Sequence, residues 1–312
     1  MKKLILFLLI CIPFLTFAHG FDELEISVDA KGAKLSGTLT MPAHAHGAVS
    51  LVIIIAGSGP TDRDCNGQGF KSDAYKKMAA QFALNGIATY RYYKRGIGKS
   101  TVENMKEEDV TFNVMIDDAK SILANFEKDT RFSQLTICGH SEGSLVGMKA
   151  VTDKHKYISL AGSGFPIGET MKEQLKGKLG TMEKETFAKL DSLQKGKSVA
   201  NNLPGLESLF RPSAQPFVKS CMALNPTTEI KKIKCPILIL NGTKDLQVAE
   251  KNAVALNEAN KTSKLVIIPN MNHLLTEIES DKAEENYASY QKPELPISKK
   301  MMDEMILFVI KK

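Results

Sequence analysis

Two short segments near the start of the chain alternate apolar and polar residues: LEISVDA (24–30) and KLSGTLTM (34–41). That pattern predicts an antiparallel pair of strands with one face in water. Six later runs are almost continuously apolar: SLVIIIAG (50–57), IATYRYY (87–93), QLTICG (134–139), YISLAG (157–162), PILILNG (236–242) and KLVIIP (264–269). They read as parallel strands buried on both faces. Between strands, apolar residues recur with the 3.6-residue period of a helix. Tyr75, Met78, Ala79, Phe82 and Ala83 form one stripe, ended by Asn85-Gly86, and Phe112, Met115, Ile116, Ala119, Ile122, Leu123 and Phe126 form another. Met301, Met302, Met305, Ile306 and Val309 make a last amphipathic helix. Strand and helix taking turns predict an α/β fold: an eight-stranded, mostly parallel sheet with helices on both faces.

One stretch breaks the alternation. Residues 163–230 hold no strand pattern, several Lys/Glu-rich helical segments, and Pro204, Pro212, Pro216 and Pro226. They predict a helical cap inserted over the carboxyl edge of the sheet, dividing the sheet domain into residues 19–162 and 231–312. No linker or repeat divides the chain otherwise, and 43% hydrophobic with 24% charged residues is ordinary for one globular unit.

The first eighteen residues differ in kind. MKK, then LILFLLICIPFL, then small residues near Ala18 make the pattern of a secretory signal peptide cleaved after Ala18. The apolar stretch is short for a membrane span, so export to the periplasm or medium without stable membrane insertion is the expectation. Removing residues 1–18 takes Lys2 and Lys3 with it, lowering the formal charge from +6 to +4. That excess is scattered, with no basic run of the kind a nucleic-acid surface needs. Cys65, Cys138, Cys221 and Cys235 remain, and their spacing ranks no disulfide pairing and matches no zinc site. His44 and His46, in PAHAHG, sit between the first strands and read as a polar turn rather than a metal site. No metal and no cofactor are expected, and the sequence is silent on oligomeric state.

The chemistry gathers at strand ends. QLTICG runs into GHSEG, centred on Ser141. G-x-S-x-G suits a sharp strand-to-helix turn that strains and exposes a serine nucleophile, with Gly139 and Gly143 clearing space around it. A serine hydroxyl needs a base, and the base needs an orienting group. Asp245 lies just past PILILNG, and His273 just past LVIIP. Loops that follow parallel strands gather at one sheet edge, so three loops remote in sequence can meet there. The order Ser, Asp, His is that of the α/β-hydrolase triad.

Five segments carry a closer likeness: AGSGPTDRDCN (56–66), YKRGIGKS (93–100), GHSEGS (139–144), RPSAQP (211–216) and NGTKDLQV (241–248). On these the chain resembles a group of bacterial carboxylesterases in the α/β-hydrolase superfamily. The resemblance implies an α/β-hydrolase fold, a Ser141–Asp245–His273 triad, a small-molecule ester substrate and no cofactor. It also implies that the backbone amides of Ser58 and Glu142 form the oxyanion hole. The glycines of AGSGP after the third strand suit that role, because they let backbone N–H groups approach a reacting oxygen. Tyr93 departs from the pattern, standing where the group has aspartate, which puts a local ion pair in question.

Other polar residues in these segments read as scaffold. Asp62, Arg63 and Asp64 suit a braced loop. GIGKS (96–100) resembles the end of a phosphate-binding loop, yet Tyr93 occupies a position where such a loop requires glycine. Arg95 and Lys99 are therefore assigned to bracing the loops beside the oxyanion hole. The function predicted is hydrolysis of carboxylic esters through an acyl-enzyme on Ser141. A serine aminopeptidase on the same fold is the alternative enzyme, and a non-catalytic binding protein is the alternative outside enzymes.

Overall fold

The structure is a computed structural model covering, as described, residues 20–311. The predicted signal peptide, residues 1–18, lies outside the described residues. Eight strands form the main sheet: β1 (Phe21–Ala30), β2 (Ala33–Pro42), β3 (Val49–Ile55), β4 (Ala88–Tyr92), β5 (Phe132–His140), β6 (Lys156–Leu160), β7 (Ile237–Gly242) and β8 (Lys264–Ile268). Their spatial order is β1-β2-β4-β3-β5-β6-β7-β8, and a two-residue strand, Thr101–Val102, pairs with β2. β2 runs antiparallel to both neighbours, while β3 to β8 and β4 are parallel.

That order fixes where a ligand can sit. From β3 the chain moves outward to β4; from β5 it moves the other way, to β6. The connections of the adjacent strands β3 and β5 therefore diverge and leave a crevice at their carboxyl ends. Residues 56–60 and 141 occupy that crevice.

Period-two alternation in β3 splits its side chains between two cores. Leu51, Ile53 and Ile55 join the apolar cluster under α2 (Phe112–Phe126) and α3 (Glu142–Ala150). Val52 and Ile54 join the cluster under α1 (Ala74–Leu84) and the last helix, Lys299–Ile310. The wet face predicted for β2 does not exist: Ser36, Thr38 and Thr40 are all buried. Polar partners cover them, since Thr38 donates to Glu25 at 3.0 Å and Arg91 donates to Thr40 at 2.7 Å. β8 departs from two-sided burial as well, because it is the outer strand of the sheet.

Between β6 and β7 the regular elements are all helical: α4 (Ile167–Leu175), a 3-10 turn at Gly180–Met182, α5 (Glu183–Gln194), α6 (Glu207–Phe210), α7 (Gln215–Met222) and α8 (Pro226–Ile230). Leu190, Leu193, Leu203, Phe210, Val218 and Met222 give this stretch an apolar cluster of its own. All four cysteines among the described residues are buried and free. No described helix is long and apolar enough to cross a membrane, and no cluster of metal ligands occurs among the described residues.

Candidate active site

Ser141 stands between β5 and α3 at φ 54°, ψ −120°, a conformation costly for a residue with a side chain. Packing enforces it. A Cβ on Gly139 would lie 2.2 Å from the Gly143 carbonyl oxygen, and one on Gly143 would lie 2.3 Å from that of Ile55. Only glycine lets the strand, the turn and the helix approach so closely. The Ser141 N–H donates to Leu160 O at 2.9 Å, locking the turn against β6.

The structure brings Ser141, Asp245 and His273 together. His273 Nδ1–H donates to Asp245 Oδ2 at 2.8 Å, which leaves Nε2 to accept from Ser141 Oγ at 3.1 Å. The other Asp245 oxygen, Oδ1, accepts from the N–H groups of Gln247 and Val248, both at 2.8 Å. The carboxylate is fully buried and the imidazole nearly so. Asn272 shapes the histidine loop, its Oδ1 accepting from Leu274 N and Thr276 N, both at 3.1 Å. This arrangement can move a proton from serine to imidazole while the carboxylate holds the ring in one tautomer.

His140 supports the same site from behind. Its Nε2 lies 2.9 Å from the His273 carbonyl, which only accepts, so Nε2 carries the proton and Nδ1 accepts from Tyr75 O–H at 2.8 Å. Tyr75 O in turn accepts from Gly57 N–H at 3.2 Å. One chain of hydrogen bonds thus joins the residue before Ser58 to the backbone of His273. Burial pushes the His140 imidazole down to about 3, with the neighbouring His273 ring a smaller cause.

Ser58 and Glu142 flank Ser141, and their N–H groups donate to no acceptor among the described residues. Glu142 opens α3, where the helix leaves its first amides unpaired. Burial raises its carboxyl above the usual range, partly offset by the ammonium of Lys94.

The 61–66 loop is scaffold in detail. Asp62 Oδ1 accepts from the N–H groups of Asp64 and Asn66. Asp64 pairs with the buried Arg91 at 2.6 Å, and Arg63 pairs with Glu25 at 2.6 Å. Tyr93 supplies a ring under the Arg63 guanidinium, 5.0 Å to the centroid. An aromatic face and Glu25 thus hold this arginine, in the neighbourhood where Tyr93 departs from the pattern. Arg95 and Lys99 do not brace the oxyanion loop. Arg95 holds Asp118 on α2 and the Lys31 carbonyl, and Lys99 reaches Glu25. Lys94 takes the assigned place, its ammonium on the carbonyls of Gly57 and Gly59. No feature of KRGIGK taken alone ranks it above its neighbours.

Two small cavities adjoin Ser141. One, of about 120 Å³, runs under the cap between Leu145, Phe165, Ile167 and Met171. The other, of about 130 Å³, lies on the His273 side between Phe70, Leu274, Gln247 and Tyr290. A third, of about 690 Å³, shares Ser58, Glu142 and Met171 with the first and continues between residues 94–115 and the cap. Its walls include Ile97, Val102, Met105, Val110, Leu209 and Phe217. Another hollow, about 840 Å³, opens between α1 and the last helix and includes no residue of this site.

The chain is similar to several known proteins. A family model described as "Serine aminopeptidase, S33" matches residues 65–196. Esterase EstD of Thermotoga maritima is 26% identical over 310 residues, covering 94% of this chain and 68% of that protein. The structure of Est1E from Butyrivibrio proteoclasticus with ferulic acid superposes with a TM-score of 0.63 at 23% identity, covering 92% of this chain and all of that one. Proline iminopeptidase of Mycobacterium smegmatis superposes with a TM-score of 0.59 at 13% identity over 92% of this chain and 97% of that one. The chain has the α/β-hydrolase fold.

Proposed function

We propose that the protein is a carboxylesterase-type serine hydrolase. The observation that carries this reading is the strained Ser141 with His273 Nε2 at 3.1 Å and Asp245 bound to the far nitrogen at 2.8 Å. His273 takes the Ser141 proton as Oγ attacks the ester carbonyl. Asp245 stabilises the imidazolium, and the Ser58 and Glu142 amides receive the oxyanion. His273 then gives the proton to the departing alkoxide, and a water, activated by the same base, releases the acid and frees Ser141.

Proton delivery assigns the two sides of the site. The departing oxygen must lie within reach of His273, so the alcohol part occupies the small cavity bounded by Phe70, Leu274 and Tyr290. The acyl part then lies toward Met171, which lines both the cavity under the cap and the neighbouring apolar groove. Esters of a compact alcohol with an extended apolar acyl group fit this partition.

The family description favours a second reading, a serine aminopeptidase. Such an enzyme needs a free carboxylate to hold the substrate amino group. Among the described residues, Glu142 is the one acidic residue lining the two small cavities beside Ser141, and it faces the ammonium of Lys94. Residues 1–18 complete the proposal as an export signal, supported by their basic, apolar and small-residue order.

Labelling with a fluorophosphonate, with Ser141→Ala as control, tests the nucleophile. Turnover of p-nitrophenyl esters of increasing acyl length, set against aminoacyl anilides, tests the substrate class. Absence of label on the wild type overturns the serine-hydrolase reading, and anilides cleaved far faster than any ester replace it with the peptidase. Exported protein whose chain begins at His19 is the result expected for the leader.

A further inference from the structure

Lys94 lies two residues past the end of β4, and its side chain reaches the loop after the neighbouring β3, which carries Ser58. Its Nζ donates to the carbonyl oxygens of Gly57 and Gly59, each at 2.5 Å. These are the carbonyls on either side of Ser58. Gly57 C=O and Ser58 N–H belong to one peptide unit, and the described residues contain no cis bond. In a planar trans peptide the C=O and N–H point in opposite directions. Anchoring that oxygen to the ammonium therefore turns the Ser58 N–H the other way. The N–H of residue 57 is held in the same manner by Tyr75, so the residue preceding Ser58 is pinned at both ends.

The direction so fixed is the useful one. Ser58 borders both small cavities beside Ser141, and a Cβ on Gly57 would stand 3.2 Å from that of Ser141. We propose that Lys94 is the positioning residue of the oxyanion hole, aiming the Ser58 amide at the oxygen that gains charge and placing a positive charge behind it. The inference rests on the serine-hydrolase reading above.

The choice of an ammonium for this place supports the role. Its hydrogen-bond partners are neutral carbonyls, and burial lowers its pKa, with the Glu142 carboxyl acting in the opposite sense. A partly desolvated cation is a costly brace where a neutral donor would tie the same two carbonyls. Its charge is spent where negative charge develops during the reaction, since preset dipoles and charges there act without reorganising.

The test compares wild type, Lys94→Met, Lys94→Gln and Lys94→Arg on a p-nitrophenyl ester, together with inhibition by an alkylboronic acid that mimics the tetrahedral adduct. Lys94→Met is expected to lower kcat by about 10²- to 10³-fold, the range for losing one oxyanion donor, with KM changed less than about threefold. Boronate affinity should fall in parallel with kcat, while inhibition by the carboxylic acid product holds. Lys94→Arg, which can span both carbonyls and keeps the charge, should recover much of the loss, and Lys94→Gln only part. Wild-type kcat and boronate affinity in Lys94→Met overturn the proposal, as does a rise in KM alone. Should Lys94→Met fail to fold, the Gln and Arg variants decide: equal activity in both removes the role of charge. A wild type that turns over no ester and takes no fluorophosphonate overturns the serine-hydrolase reading itself, and this inference with it.

Discussion

The carboxyl edge of the sheet and the cap above it are ordered by different forces. At the edge, polar atoms are individually assigned. Asp245 accepts three hydrogen bonds, His140 uses both ring nitrogens, and Gly57 is held at its N–H and its C=O. In the cap, order comes chiefly from an apolar cluster, with ion pairs at the surface such as Lys172–Asp191 within it and Arg211–Glu107 to the sheet domain, and Gln215 as its main buried polar tie. Exposed pairs of that kind contribute little each. The contrast separates two tasks: a reaction requires fixed polar atoms, whereas choosing an acyl chain requires an apolar wall of suitable length. Substitutions at the edge should then act on kcat for every substrate, and substitutions in the cap on the ratio between substrates.

Asp245→Asn probes the edge most severely. The amide keeps the shape but favours the wrong imidazole tautomer, and kcat should fall by about 10⁴-fold for short and long esters alike. Stopped-flow or steady-state turnover across an ester series checks it; a loss confined to one chain length would dissolve the division of tasks. Met171→Trp probes the cap, because Met171 borders both the small acyl-side cavity and the groove. Excluding three or four methylenes at about 0.8 kcal/mol each should lower the decanoyl-to-acetyl ratio of kcat/KM by about 100-fold. An unchanged ratio would mean that the acyl group lies elsewhere.

The smallest effect concerns stability. Folded His140 stays neutral down to about pH 3, while in the unfolded chain it protonates below about 6.5. The unfolded state therefore binds the extra proton, and stability drops as pH falls through that window. His140→Gln should remove one proton's share of the slope of unfolding free energy against pH between about 6.5 and 4.5, measured by urea titration. Identical slopes in the two proteins would show that His140 is protonated in the fold.

Much of the site was legible in the chain because strands advertise their ends. Ser141, Asp245 and His273 each come after a recognisable apolar run, and parallel strands deliver their carboxyl-terminal loops to one edge. Lys94 was illegible for the converse reason. KRGIGK offers three cations within six residues, and which of them faces the crevice depends on the turn set by Gly96 at φ 72° and Gly98 at φ 54°. Its partners are backbone carbonyls, which leave no trace in composition. The polar residues of β2 misled in the same way. Thr38 and Thr40 look solvated until Arg91, a strand away, and Glu25 are seen to reach them.

The cap also bears on how the chain reaches its fold. β6 and β7 are adjacent and paired, Tyr157 opposite Ile237, yet the whole cap lies between them in sequence. These strands are parallel, so a crossover of at least about a dozen residues is needed in any case, and joining them through the cap lengthens that connection about sixfold. The closure entropy rises only with the logarithm of that length, costing about 2 kcal/mol. Since the cap has an apolar cluster of its own, the sheet need not supply the remainder. Pairing across a long stretch of sequence slows folding in general, so transplanting a different helical cap between Ala161 and Pro236 should change the folding rate more than the final stability.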